Sequence, residues 1–212
     1  MVITMYEKAL ELLCKINNLG YEAYIVGGFP RDKYLGINST DIDICTNLRV
    51  DEAVKHFSVT NITNYGTYKI DSFEIATFRK DIYNESRYPI IEYVNTLEED
   101  LLRRDFIMNT LCIDYKGNYI DKLGAIKDIE NKIIRTVKNS DISFKEDPLR
   151  IIRALRFKID LNFELSSDII NSIKVNKNLI NSISKSRLNK EIEKSNDRDK
   201  LIGVISDERK SD

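Results

Sequence analysis

The chain has 212 residues, of which 33 are basic, 34 acidic and 42% apolar. That length holds one large domain or two small ones around a sizeable core, and the near-zero net charge means that any nucleic-acid surface must come from local clustering. No apolar run approaches a membrane span and the first residues carry no signal-like apolar segment, so the expected setting is cytoplasmic, with no membrane partner.

Along the chain, Thr4 and Glu7 make a capping-box signature. Met5, Ala9, Leu12, Leu13 and Ile16 then recur at helical spacing until Gly20. A strand is expected over Ala23–Val26, a short helix from Pro30 to Gly36, a strand over Asp41–Cys45 and a helix over Val50–Phe57. Thr67–Ile70 and Phe73–Arg79 read as a hairpin, and the polar stretch from Asp81 to Pro89 as a loop. Thr96 with Glu99 predicts a second capping box ahead of Arg103-Arg104. Leu111–Tyr115 and Tyr119–Lys122 flank Lys116-Gly117-Asn118, another hairpin signal. Beyond Val137 helices are expected over Pro148–Phe157, Ser167–Lys174 and Ser184–Lys194. The fold class is therefore α+β, with an α+β head over residues 1–138, a helical neck over 139–195 and a charged, frayed tail over 196–212. Cys14, Cys45 and Cys112 are far apart and His56 stands alone, so no zinc site is expected and the cysteines read as free thiols.

The chemistry concentrates in Val26-Gly27-Gly28-Phe29-Pro30-Arg31-Asp32 and the Asp41-Ile42-Asp43 that follows. Strand residues two apart share a face, so Asp41 and Asp43 project together while Ile42 and Ile44 turn into a core. Paired carboxylates suit two Mg²⁺ ions, which take hard oxygen ligands and leave positions for phosphate. Gly28 can bring a backbone N–H to a phosphate, and the Arg31 guanidinium matches phosphate oxygens. The plain alternative is a pair of solvated strand-edge aspartates beside an ordinary turn.

Further motifs follow in order: Arg103-Arg104-Asp105-Phe106-Ile107-Met108-Asn109, then Glu146-Asp147-Pro148-Leu149-Arg150 with Arg153, Arg156 and Phe157, then Ser184-Lys185-Ser186-Arg187-Leu188 with Glu191. Together with the Gly-Gly and Asp-x-Asp segments, these resemble the head and neck of the class II CCA-adding enzymes and bacterial poly(A) polymerases. The likeness runs from about Ala23 to about Glu191. It implies a polymerase-β-like head with a mixed sheet of about five strands, followed by a helical neck.

By that resemblance, Asp41 and Asp43 are the catalytic metal ligands. Gly28, Arg31, Arg104, Asp105, Asn109, Asp147, Arg150, Arg153 and Arg156 bind the nucleotide. Arg104 and Asp105 approach the ribose, whereas Asp147 and Arg150 read the base. An acceptor beside a donor suits cytosine and adenine, which both offer an amine and a ring acceptor. The alternatives are a helix-terminal ion pair for Arg104 and Asp105 and a solvated basic face for Arg153 and Arg156. Glu74 is a candidate third carboxylate or an exposed strand glutamate. Asp81, Arg87, Tyr88 and Pro89 fall in the family's flexible loop, with Tyr88 where the family often has His.

The function so implied is metal-dependent, template-independent addition of C and/or A to the 3′ end of tRNA from CTP and ATP. Poly(A) synthesis or A addition is the alternative. A small-molecule nucleotidyltransferase and a truncated RNA-binding remnant are the rivals from other classes. Family members carry further body and tail domains, and the sequence runs only about twenty residues past Glu191. A second polypeptide supplying those domains is therefore an expected partner.

Overall fold

The computed structural model describes residues 3–84 and 89–210. Helix α1 (Met5–Asn18) opens on the expected capping box, in which Thr4 and the Glu7 side chain satisfy each other's backbone N–H groups. It buries Ala9, Leu12, Leu13 and Ile16, each of the larger side chains contributing roughly 1.5–3 kcal/mol. Then follow β1 (Ala23–Val26), α2 (Gly28–Tyr34), β2 (Asp43–Thr46), α3 (Val50–Ala53), β3 (Val59–Thr60), β4 (Thr67–Ile70) and β5 (Phe73–Thr77). A separate antiparallel hairpin pairs β6 (Arg79–Ile82) with β7 (Ile90–Tyr93). Helix α4 (Leu97–Leu101) leads to a 3-10 turn at Ile107–Asn109, then to β8 (Cys112–Ile113), β9 (Tyr119–Ile120), α5 (Ala125–Glu130) and β10 (Ile133–Ile134). The remainder is α6 (Ser140–Glu146), α7 (Leu149–Leu161), β11 (Glu164–Leu165), α8 (Ser167–Asn176), a 3-10 segment at Lys177–Ser182, α9 (Lys185–Glu193) and α10 (Arg198–Lys210).

The main sheet is mixed and has seven strands in the order β3-β4-β5-β2-β1-β8-β9. It exceeds the expected five because the two-residue strands β3 and β9 close its edges. Only β2 and β5 run parallel within it, with Asp43 opposite Glu74 and Ile44 opposite Ile75. One face of the sheet packs with α1 around Leu13, Ile25, Ile44 and Ile75. The other buries Val26, Cys45, Phe78, Leu97 and Leu101.

A third cluster is the largest and runs beneath residue 138. It joins Phe106, Met108, Leu111, Ile129 and Ile134 to Phe144, Ile151, Ile152, Leu155, Phe157, Ile169 and Leu201. The division expected there is a change in secondary structure, while the packing is continuous across it.

Several local readings need correction. Strand β2 starts at Asp43, leaving Asp41 and Ile42 ahead of it, and α3 ends at Ala53. The Asp81–Pro89 stretch begins inside β6, because backbone pairing with β7 outweighs its polar composition; Arg87 and Tyr88 lie outside the described residues. At Thr96 the hydroxyl caps no helix N–H, since it donates to the Glu99 side chain instead, at 2.8 Å. Residues 198–210, expected to fray, form α10, whose Leu201 and Ile205 are buried in the third cluster. Helices α5 and α6 carry no signal recognised in the sequence reading; α6 is capped by the Asn139 side chain.

Candidate active site

Strand β1 delivers the chain to Gly27, whose φ of 86° is a left-handed conformation suited to glycine. Helix α2 starts at once, and β2 returns antiparallel so that Asp43 stands opposite Val26. Ile42 and Ile44 are buried in the sheet core, while Asp41 and Asp43 both line a cleft of about 590 Å³. The alternation inferred from the sequence thus operates, although only Asp43 belongs to the strand. Burial, and then the charges of Asp41 and Glu74, push the Asp43 carboxyl above the usual carboxylate range. Glu74 does not line this cleft. It shares with Asp43 a smaller adjacent cavity, is 68% exposed, and pairs with Lys69 at 3.4 Å.

The opposite wall is built from arginines held by carboxylates. Arg31 is buried; its Nη1 donates to Asn109 Oδ1 at 2.5 Å and its Nε to Asp32 Oδ1 at 2.9 Å. Asn109 in turn donates to Asp105 Oδ1 at 3.2 Å, and Arg153 Nε donates to Asp105 Oδ2 at 2.7 Å. Burial pushes the Asp105 carboxyl up, but Arg153, Asn109 and the Phe106 N–H outweigh it and hold it at about 2. Arg104 does not pair with Asp105. It binds the buried Asp100 at 2.8 Å, and its Nε is buried with no hydrogen-bond partner among the described residues.

Arg153 and Arg156 are not a solvated face either. Both meet the buried Glu191, at 3.6 and 2.6 Å, and Arg156 also meets Asp160 at 3.1 Å. Arg31, Arg153 and Arg156 all stand over the Phe157 ring, at 5.0, 5.4 and 4.3 Å from its centroid. Asp147 and Arg150 share the cleft but are anchored separately. Arg150 donates to Ser143 Oγ at 2.9 Å and to the Arg103 carbonyl at 3.0 Å, whereas Asp147 accepts from Arg187 Nη2 at 3.1 and 2.9 Å. All eleven residues singled out in the sequence therefore line one cleft.

The family model for the poly A polymerase head domain matches residues 23–135. The chain belongs to that family. Its relatives include a CCA-adding enzyme of Ligilactobacillus salivarius, 41% identical over 194 residues, covering 88% of this chain and 48% of the relative. The fold is similar to that of the Bacillus stearothermophilus CCA-adding enzyme in complex with CTP, with TM-score 0.82 and 35% identity, over 95% of this chain and 49% of that one. It is also similar to the Thermotoga maritima CCA-adding enzyme complexed with tRNA, with TM-score 0.77 and 25% identity, over 98% and 52%. The chain thus spans about half the length of the curated relatives it matches.

The cleft also holds residues to which the sequence reading gave no role of their own. Gly27, Asp32, Ser39, Tyr83, Arg103 and Lys194 also line the cleft. Gly27 had a signal, since the first glycine after a strand is where the chain must turn. Tyr83 and Lys194 had none, because only tertiary packing brings residues so distant in sequence to the same wall.

Proposed function

We propose that this chain carries the nucleotide-transfer centre of a template-independent RNA nucleotidyltransferase. It adds C and/or A from CTP and ATP to the 3′ end of tRNA and releases pyrophosphate. The observation that carries this reading is one cleft joining three chemistries: the Asp41/Asp43 carboxylates, the Asp105–Asn109 hydrogen-bonding group, and Asp147 beside Arg150. The CTP, ATP and tRNA complexes of structurally similar proteins support the same substrate classes.

The carboxylates fit Mg²⁺. Burial and two neighbouring negative charges disfavour the ionised form of Asp43, an imbalance that a cation relieves. The donors are hard oxygens, with no thiolate or imidazole in the cleft. Among the described residues no group of three or more such side chains forms a metal site, so Asp41 and Asp43 would hold the ions together with substrate phosphate oxygens. Two bound Mg²⁺ ions would acidify the attacking 3′-hydroxyl and offset charge on the leaving pyrophosphate.

The protein groups position and select. Arg31, fixed by Asp32 and Asn109, and the Gly28 backbone face the triphosphate. Asp105 and Asn109 address the ribose hydroxyls, with Arg104 held behind them by Asp100. Asp147 accepts from an exocyclic amine while Arg150 donates to a ring acceptor, which selects C and A over G and U. Arg153 and Arg156 complete the nucleotide wall. A cytoplasmic setting suits the free thiols Cys14, Cys45 and Cys112, and among the described residues no helix is long and apolar enough to cross a membrane.

Purified protein is incubated with tRNA lacking its 3′ end, Mg²⁺ and each labelled nucleoside triphosphate in turn. Incorporation of C or A is expected, with loss of at least about tenfold in Asp41→Ala and in Asp43→Ala. Incorporation that survives in both variants overturns the assignment.

A further inference from the structure

A second cavity, of about 220 Å³, lies against the first. The two share only Asp43, Arg103 and Arg104. The smaller one is also lined by Val26 of β1 and Ile44 of β2, and its remaining residues come from the β4–β5 side of the sheet, including Thr67, Glu74 and Ala76, and from Arg79, the residue that opens β6. None of these six touches the nucleotide cleft. The volume is below the roughly 300–1,000 Å³ of pockets that enclose whole small ligands, so it receives a group and not a second nucleoside triphosphate.

Its charge is uneven. Arg79, Arg103 and Arg104 are all largely buried, and they are met by the buried carboxylates of Asp81 and Asp100. Arg103 holds Asp100 at 2.8 Å and reaches Asp81 only at 3.9 Å; Arg79 holds Asp81 at 2.8 Å. Asp43 lines the cavity as well, so three largely buried arginines face three carboxylates in a partly dry site. Arg104 Nε is a donor buried without a partner among the described residues. Such a donor destabilises the fold unless something accepts from it. Glu74 lines the same cavity but is largely exposed and turned to Lys69.

In-line displacement at phosphorus needs the attacking oxygen on the side opposite the leaving pyrophosphate. With the triphosphate on the Gly28 and Arg31 side of Asp43, the attacking strand must come from the other side, where this cavity lies. We infer that the 220 Å³ cavity seats the last phosphodiester of the RNA that is extended, with Arg79 as the positioning residue that holds it. This rests on the nucleotidyl-transfer reading above, and it adds a contact to the RNA end that is independent of base identity.

The test uses two short hairpin RNAs with a free 3′-hydroxyl. In one, the final linkage is an uncharged methylphosphonate; in the other it is the natural phosphodiester. Kd for each RNA, and separately for CTP, is measured with wild-type protein, Arg79→Gln and Ala76→Leu, the last filling the cavity without removing a charge. For wild type, the methylphosphonate should weaken RNA binding by about tenfold. In both variants the natural RNA should be weakened similarly, with no further loss on methylphosphonate substitution and with CTP binding retained. Equal losses on methylphosphonate substitution in wild type and both variants overturn the inference. If wild type neither binds CTP nor extends RNA, the failure lies in the nucleotidyl-transfer reading; if it extends both RNAs equally well, only this inference falls.

Discussion

At Gly27, a Cβ built on the backbone would stand 3.4 Å from Asp43 Oδ2, and the residue's φ is already 86°. Gly27→Ala would therefore combine left-handed strain, about 1–2 kcal/mol, with crowding of the Asp43 carboxylate. A lower unfolding midpoint together with a larger fall in nucleotide incorporation is the expected result, and an unchanged midpoint would show that the turn relaxes freely. Of the two glycines, the sequence reading singled out Gly28, since Gly-Gly announces a turn without saying which member takes the unusual backbone. Asp147 and Arg150 were legible as a pair because they lie close together on one motif. Their anchors were not: Arg187 is 40 residues from Asp147, and the Arg103 carbonyl is 47 residues from Arg150. The same distance hid the partner of Asp105. A motif shows which side chains are present, whereas tertiary packing decides which of them hold one another.

Among the elements, α10 shows where composition misleads. Its surface is dominated by charge, and of its four apolar residues, Leu201, Ile202, Val204 and Ile205, only Leu201 and Ile205 stand four apart on one face. Both are buried in the largest core cluster. Leu201→Ala should cost about 2–5 kcal/mol, as for other buried leucines. Urea unfolding checks this, and a cost under about 0.5 kcal/mol, the range of surface substitutions, would mean that α10 is not docked. Helix α1, with full periodicity and a real cap, was legible as a whole, and α7 was legible as far as Phe157, short of its end at Leu161. The β6–β7 hairpin was not, because both strands are half polar and owe their order to each other and to Asp100, which accepts from the Arg79 backbone N–H at 3.2 Å.

Over the whole molecule, the head sheet and the helices that follow share a core and are tied by ion pairs that cross it. Phe106 meets Phe157 edge to face at 5.8 Å, and Asp105 meets Arg153 at 2.6 Å. The Asp105 pair makes stability depend on acid. Its carboxyl is held at about 2 in the folded chain, against about 3.9 when unfolded. Its contribution, about 2 kcal/mol, is therefore complete above pH 4 and disappears as pH falls towards 2. In urea titrations, the stability gap between wild type and Asp105→Asn should narrow over that window; a gap that stays constant would show that the pair adds nothing beyond packing. The shared core also constrains how the gene can be rearranged. A break near residue 138 divides Phe106 from Phe157 and Asp105 from Arg153, so each fragment would expose an apolar face and an unmatched charge. Neither half could be inherited, fused or exchanged as a free-standing module, even though the change from sheet to helices makes that point look like a seam.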